Sequence, residues 1–219
     1  MQFPFIALVV SGGHTELYII RGFEDYLYLG GTLDDAAGEA YDKVARILGL
    51  GYPGGPIIDK IAKKGKEVIK FPRPLLRDSG KNRFNFSFSG LKTAVMREAE
   101  KGIYSKEDIA HSFQEAVVDV LVSKTVNAVR KFDIKRVVVA GGVSANSRLR
   151  ERFQEESKKT GFSVYFPSLY LCTDNGAMIA YTGYRRIKET GRTVGLDFEG
   201  KARLRLDRFV EYIRKGAGQ

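Results

Sequence analysis

The sequence predicts an α/β domain, a mixed sheet flanked by helices, and three observations carry that prediction. Apolar and β-branched runs at 5–10 (FIALVV) and 15–20 (TELYII) flank the turn Ser11-Gly12-Gly13-His14, which reads as a hairpin. From Ser105 onward, Ile109, Phe113, Val117, Val120, Leu121, Ala128 and Phe132 recur near a period of 3.6, the mark of a long helix packed on a sheet. Val137-Val138-Val139-Ala140 is a continuous apolar run of the kind buried in parallel sheets, and it enters Gly141-Gly142 and then a helix.

The remaining elements follow in order. A third strand is expected at Tyr26–Leu29, then a helix from Asp34 to Leu48 whose acidic start suits the N-terminal end of a helix dipole and which Gly49 and Gly51 stop. Pro53-Gly-Gly-Pro56 turns the chain into a short helix with Ile57, Ile58 and Ile61 on or near its buried face. Residues 63–83 carry eight Lys or Arg against Glu67 and Asp78, with Pro72, Pro74 and Gly80 among them. That composition predicts irregular, exposed chain, either a solvated loop or a contact for nucleic-acid phosphate. Ser105-x-x-Asp108 is a start signal for the long helix, and His111 in its first turns reads as a partly exposed histidine rather than a metal ligand. A helix over Ser144–Lys159, a strand over Ser163–Phe166, a helix over Asn175–Lys188 and a basic, weakly patterned tail from Lys201 complete the chain.

With 43% of 219 residues hydrophobic, the chain can bury a core as one large domain or two small ones. Its formal net charge of +10 favours polyanionic partners, though a solvated surface accounts for much of the excess. Cys172 is the single cysteine, so no intramolecular disulfide can form and a cytosolic setting is the simplest expectation. No apolar run approaches the roughly 20 residues that span a bilayer, and Met1-Gln2-Phe3-Pro4 lacks the basic start of a signal peptide.

Four stretches can carry chemistry. Val9-Val10-Ser11-Gly12-Gly13 ends a strand in glycines that let backbone amides approach an anion, or that simply make a tight hairpin. In Gly141-Gly142-Val143-Ser144-Ala145-Asn146 the glycines permit close approach and the following helix points partial positive charge beyond the strand. There Ser144 is a candidate N-cap, and Asn146 either bonds an adenine or ribose or caps nothing. Thr173 or Asp174 can cap the last helix; alternatively Asp174 ligates a metal in the crevice the glycine loops face. Glu39, Asp42 and Lys43 are explained by solvent exposure as well as by ligand contact. Ser-His-Asp order, H-E-x-x-H, Cys-x-x-Cys and a Walker loop are all missing, so zinc proteolysis and P-loop hydrolysis have no support.

The strings VSGGHTEL (10–17), DDAAGEAYDKVARILGLGYPGGP (34–56), FSFSGLKT (86–93), AGGVSAN (140–146) and CTDNGAMIA (172–180) together resemble the tRNA threonylcarbamoyladenosine transferase family, once labelled sialoglycoprotein endopeptidases. The resemblance implies a ribonuclease-H-like lobe of the actin/Hsp70/sugar-kinase superfamily. Residues 1–219 would form the second, C-terminal lobe, with a helical insertion at about 33–104 and a tail, 192–219, packing toward a first lobe. Members carry that first lobe, with a His-x-x-x-His metal pair, ahead of the FPFIALVVSGG segment. His14 and His111 are the only histidines here and do not supply the pair, so the chain is expected to be an incomplete catalyst that holds metal weakly or not at all by itself.

By motif match, Val9, Val10, Ser11, Gly12 and Gly13 would line the site of threonylcarbamoyl-adenylate or ATP, joined by Gly141 and Gly142. Asp42 and Gly55 would contact the ligand, Asn146 would meet the adenosine side, and Asp174 would be one metal ligand, the metal being iron or zinc with iron expected. No residue stands out as catalytic. The implied reaction is transfer of threonylcarbamoyl to N6 of adenosine 37 in tRNAs that read codons beginning with A. Lys92, Arg97, Lys101 and the basic stretch 63–83 would dock tRNA phosphate. Implied partners are tRNA, a shorter paralogous subunit and an accessory ATPase, with no membrane, and the exposed lobe interface invites self-association. The alternative is a non-catalytic nucleotide- or partner-binding module of the same fold. A small-molecule kinase of that superfamily fits less well, because Ser11 stands where such kinases usually have an acidic residue.

Overall fold

Strand alternation in β1 (Phe5–Val10) sends Ile6, Leu8 and Val10 to one face of a sheet and Ala7 and Val9 to the other. A computed structural model of the chain describes residues 2–191 and also 193, 205, 206, 208 and 209. The expectation for the tail 192–219 falls almost entirely outside those residues. β1 pairs antiparallel with β2 (Thr15–Gly22), which pairs antiparallel with β3 (Asp25–Gly31). On its other side β1 runs parallel to β4 (Arg136–Ala140), and β4 runs parallel to β5 (Ser163–Tyr165), giving the order β3-β2-β1-β4-β5. The sheet is mixed, as expected.

Helices α1 (Ala37–Ile47), α2 (Gly54–Ala62), α3 (Ser89–Glu100), α4 (Lys106–Phe132) and α5 (Ser147–Thr160) cover one face. α4 is central. Its buried residues lie on most of its circumference, because it packs on β1 and also touches α2, α3 and α5. Ser105 caps it as the sequence suggested, its hydroxyl accepting from the Asp108 amide at 3.1 Å. His111 is part-buried with Nδ1 2.8 Å from the Ala62 carbonyl. Helix α6 (Gly176–Thr190) buries no residue at all. Among the described residues no helix is long and apolar enough to cross a membrane.

The basic stretch 63–83 is irregular, as its prolines suggested, but it is anchored. Four polar side chains along α4 hold it: Asp108 takes the Lys66 amide at 2.8 Å, Ser112 the Ile69 amide at 3.2 Å, Asp119 the Arg73 guanidinium at 3.0 Å, and Lys124 donates to the carbonyls of Asn82 and Arg83 at 2.9 Å. Burial pushes the Lys124 ammonium below its usual range, opposed in part by Asp78. Two of its protons go to backbone carbonyls, which is how a buried cation is tolerated in a helix interior.

Two helix starts differ from expectation, and one helix was not expected. The helix expected from Asp34 begins at Ala37, whose amide bonds the buried Thr15 hydroxyl at 2.8 Å. Asp34 is instead occupied across the chain, accepting from the Ser87 and Ser89 hydroxyls at 2.6 and 2.8 Å and from the Phe88 amide at 2.8 Å. Burial would raise its carboxyl, but these hydrogen bonds outweigh burial and hold it below the usual carboxylate range. They also set the start of α3, which the sequence did not announce. The helix expected from Ser144 starts at Ser147, after a 3-10 turn over Gly142–Ala145.

Candidate functional site

Four segments distant in sequence meet beyond the ends of β1 and β4. Ser11 closes the β1–β2 turn, its hydroxyl accepting from the Gly13 and His14 amides at 3.3 and 3.1 Å. Neither Gly12 nor Gly13 has a left-handed φ, so this glycine pair does not serve the turn type that a tight hairpin would require. A Cβ on either would meet open space, which leaves the backbone bare. Gly38 brings α1 onto this turn: its amide donates to the Ser11 carbonyl at 3.1 Å, and a Cβ there would lie 2.7–2.8 Å from Ser11 and Gly12 backbone. Gly141, at φ 100°, lies against the Val10 carbonyl, so only glycine fits. Asp42 of α1 accepts the Gly54 amide at 2.7 Å and so caps α2.

Together they enclose a cavity of about 630 Å³, within the range of small-molecule sites. Of the residues picked out from sequence, Ser11, Gly12, Asp42, Gly55, Gly142, Asn146 and Asp174 line it. Val9, Val10, Gly13 and Gly141 do not. Val10 is wholly buried in the helix-side core and Val9 packs on the opposite sheet face, because adjacent strand residues point opposite ways. Gly141 stands behind the wall, and Gly13 lies exposed in the turn.

Several lining residues were not singled out from sequence: Gly38, Tyr41, Tyr52, Asp59 and Lys60; Lys63, the first residue of the basic stretch expected to dock tRNA, lines it too. Asp59 accepts from both the amide and the hydroxyl of Ser147, at 3.2 and 2.9 Å, so its carboxylate already meets the positive end of α5. The expectation that the α5 start itself faces a ligand anion is therefore corrected: its first amides bond Asp59 and Asn146, and the bare backbone of Gly142 faces the cavity instead. Burial pushes the Tyr41 phenol far up, with Asp59 and Glu115 adding to the shift. Its hydroxyl has no hydrogen-bond partner among the described residues. Lys63 joins the basic stretch 63–83 to the cavity rim.

Asn146 is the N-cap of α5, its Oδ1 accepting the Leu149 amide at 2.9 Å. Ser144 is not a cap; it is fully buried, and its hydroxyl donates to Cys172 Sγ at 3.3 Å. Capping by Thr173 or Asp174 is also corrected, because Asn175 caps α6, accepting the Met178 amide at 2.9 Å. That leaves Asp174 exposed on the cavity wall with no hydrogen bond or ion pair among the described residues. Among those residues no group of three His, Cys, Asp or Glu is placed to hold a metal ion. Of the expected phosphate-docking cations, Arg73 is paired with Glu67 and Asp119, and Lys101 with Glu98, all within the chain.

The fold is shared with full-length HypF crystallised in a phosphate- and nucleotide-bound form: the TM-score is 0.69 at 14% identity, covering 88% of this chain and 41% of HypF. At that identity the likeness establishes a shared fold, a mixed sheet flanked by helices, and nothing more. Sequence relatives are much nearer. A tRNA N6-adenosine threonylcarbamoyltransferase of Persephonella marina is 70% identical over 217 residues, covering 99% of this chain and 63% of the relative. One from a Sulfurihydrogenibium species is 67% identical over 214 residues, covering 98% and 62%. The chain thus spans less than two thirds of the length of these relatives. The family model for tRNA N6-adenosine threonylcarbamoyltransferase matches residues 1–181. With that match and that identity, the chain belongs to the tRNA N6-adenosine threonylcarbamoyltransferase family.

Proposed function

We propose that this chain supplies the nucleotide-holding lobe of an enzyme that transfers threonylcarbamoyl from its adenylate to N6 of adenosine 37, in tRNAs reading codons that begin with A. The observation that carries the reading is the meeting of Ser11–Gly12, Asp42, Gly55, Gly142, Asn146 and Asp174 on one cavity within a chain of this family. In the reaction, the N6 amine adds to the carbamoyl carbon, the anhydride C–O bond breaks, AMP leaves with the electron pair, and N6 gives up a proton. Of the cavity carboxylates, Asp59 has both oxygens engaged by Ser147, so it is not free to take that proton.

The chain's own contribution is binding and orientation. The bare backbone at Gly12 and Gly142 suits the phosphate of an adenylate or of ATP, and Asn146 suits the adenosine. Lys60 and Lys63 at the rim continue into Lys64, Lys66 and Lys70, all exposed, which gives tRNA phosphate a path to the cavity and makes binding salt-sensitive. Asp174 supplies one carboxylate, and one carboxylate does not hold a transition metal. Asp174 therefore fits a donor to a shared metal rather than a metal site by itself, and the metal we propose, by resemblance to the family, is iron in preference to zinc. A shorter paralogous subunit and an accessory ATPase are the proposed partners, in the cytoplasm.

The test is reconstitution of the chain, joined to the first lobe that family members carry and with those partners, on unmodified tRNA, threonine, bicarbonate and ATP, read by mass spectrometry of digested nucleosides. Threonylcarbamoyladenosine that disappears with Asn146→Ala supports the proposal. Adenine-nucleotide binding without any transfer would favour the non-catalytic binding module, and modification indifferent to the cavity would overturn the reading.

A further inference from the structure

Three consecutive residues at the start of α5 are each held by a different side chain from another helix. Asn146 Nδ2 donates to Gln114 Oε1 of α4 at 2.8 Å, Ser147 bonds Asp59 of α2, and Arg148 bonds Glu115 of α4 through two hydrogen bonds at 2.6 and 3.1 Å. Gln114 is 4% exposed and Asn146 is 8% exposed, so this amide pair is sealed from bulk water on the α4 side.

The chemistry fixes which end of each amide points where. A backbone amide can only donate, so the atom facing Leu149 N–H must be Asn146 Oδ1. Nδ2 then faces α4, and the atom that meets it must be an acceptor, Gln114 Oε1. Removing that acceptor would leave a buried N–H unpaired and the amide held at its oxygen alone, by the Leu149 cap, so its plane is fixed at one end where Gln114 fixes it at both.

We propose that Gln114 is a positioning residue for nucleotide binding: it locks the Asn146 amide so that one N–H and one oxygen lone pair are presented to the cavity in a fixed orientation. An amide so held offers a donor and an acceptor together, the combination that adenine matches. The inference rests on the reading that this cavity takes an adenylate. Its substance is that position 114 needs an acceptor and not merely bulk. Gln114→Glu keeps the acceptor, whereas Gln114→Met keeps the length and loses it.

Two measurements separate the inference from the reading beneath it. Nitrogen-15 NMR of the full 219-residue chain, with the Asn146 side-chain signal identified by its loss in Asn146→Asp, reads solvent exchange of the Nδ2 hydrogens. One slow hydrogen is expected in the unsubstituted chain and in Gln114→Glu, and none in Gln114→Met. Calorimetric titration with ATP then reads the site, with affinity about tenfold weaker in Gln114→Met and restored in Gln114→Glu. Fast exchange in the unsubstituted chain, a slow hydrogen surviving in Gln114→Met, or equal ATP affinity in both variants would each overturn the role of Gln114. If exchange follows position 114 but ATP does not bind even to the unsubstituted chain, the locked amide stands and the adenylate reading of the cavity falls. Should Gln114→Met fail to fold, the exchange of the unsubstituted chain and the ATP affinity of Gln114→Glu still decide.

Discussion

The two helix starts that wall the cavity are alike in local chemistry and opposite in support. Asn146 caps α5 and Asn175 caps α6 with the same bond, from the amide three residues on, at 2.9 Å in both. Around the α5 start, Gln114, Asp59 and Glu115 each hold a neighbouring residue, and Leu149 and Phe153 are buried. Around the α6 start nothing comparable is present among the described residues, and Ile179, Tyr181 and Tyr184 are 67%, 60% and 57% exposed. Met178 and Ile187 of the same helix are exposed as well, at 43% and 56%. One wall is therefore finished by the described residues, while the other carries apolar side chains on an open surface.

The largest expected effect comes from breaking the finished wall. Glu115→Ala removes both hydrogen bonds from Arg148, whose guanidinium those bonds, and the carboxylate charge behind them, stabilise in its charged form and push further above its usual range. Stranding a fully buried partner costs about 3–5 kcal/mol; Arg148 is 25% exposed and retains Glu155, so we expect about 2 kcal/mol. Urea denaturation followed by circular dichroism reads it as a lower midpoint at unchanged slope. A midpoint equal to that of the unsubstituted chain would mean that the α5 wall is no better built than the α6 wall.

That asymmetry bears on what the sequence could disclose. The strands, α4 and the two glycine loops were legible because period and turn chemistry are local signals, and the order of five motif strings was enough to place the chain on a family pattern. α3 was not legible, since only Leu91 and Val95 of its residues are buried and its start is set by Asp34, more than fifty positions earlier. Gly38, Asp59 and Gln114 have no local signature either; each acts by meeting a backbone or side chain that only the folded chain brings near. Thr173, Asp174 and Asn175 can all cap a helix, so the sequence could not say which one does.

A smaller effect on stability, but a larger one on assembly, is expected on the open wall. Ile179→Ser removes an exposed apolar side chain that holds nothing in place, so stability should stay within about 0.5 kcal/mol. If α6 is covered by a second copy when the chain stands alone, sedimentation velocity at rising concentration should show association that Ile179→Ser weakens. A substitution that lowers the urea midpoint as far as Glu115→Ala does would show that α6 is packed, and the contrast between the walls would be gone.

Two adjacent residues sharpen the comparison, and one of them should show no change in stability at all. Asn175→Ala removes the α6 cap and should cost about 1 kcal/mol, whereas Asp174→Asn touches an exposed carboxylate with no partner among the described residues and should leave the denaturation midpoint where it is. The reason is geometric: the Met178 amide has one acceptor in reach, and it belongs to Asn175, so Asp174 projects into the cavity with its charge unspent. Equal losses for the two substitutions would make Asp174 a second cap and a structural residue. A loss confined to Asn175→Ala would leave Asp174 free for a ligand or a shared cation, on the wall that the rest of the fold leaves open.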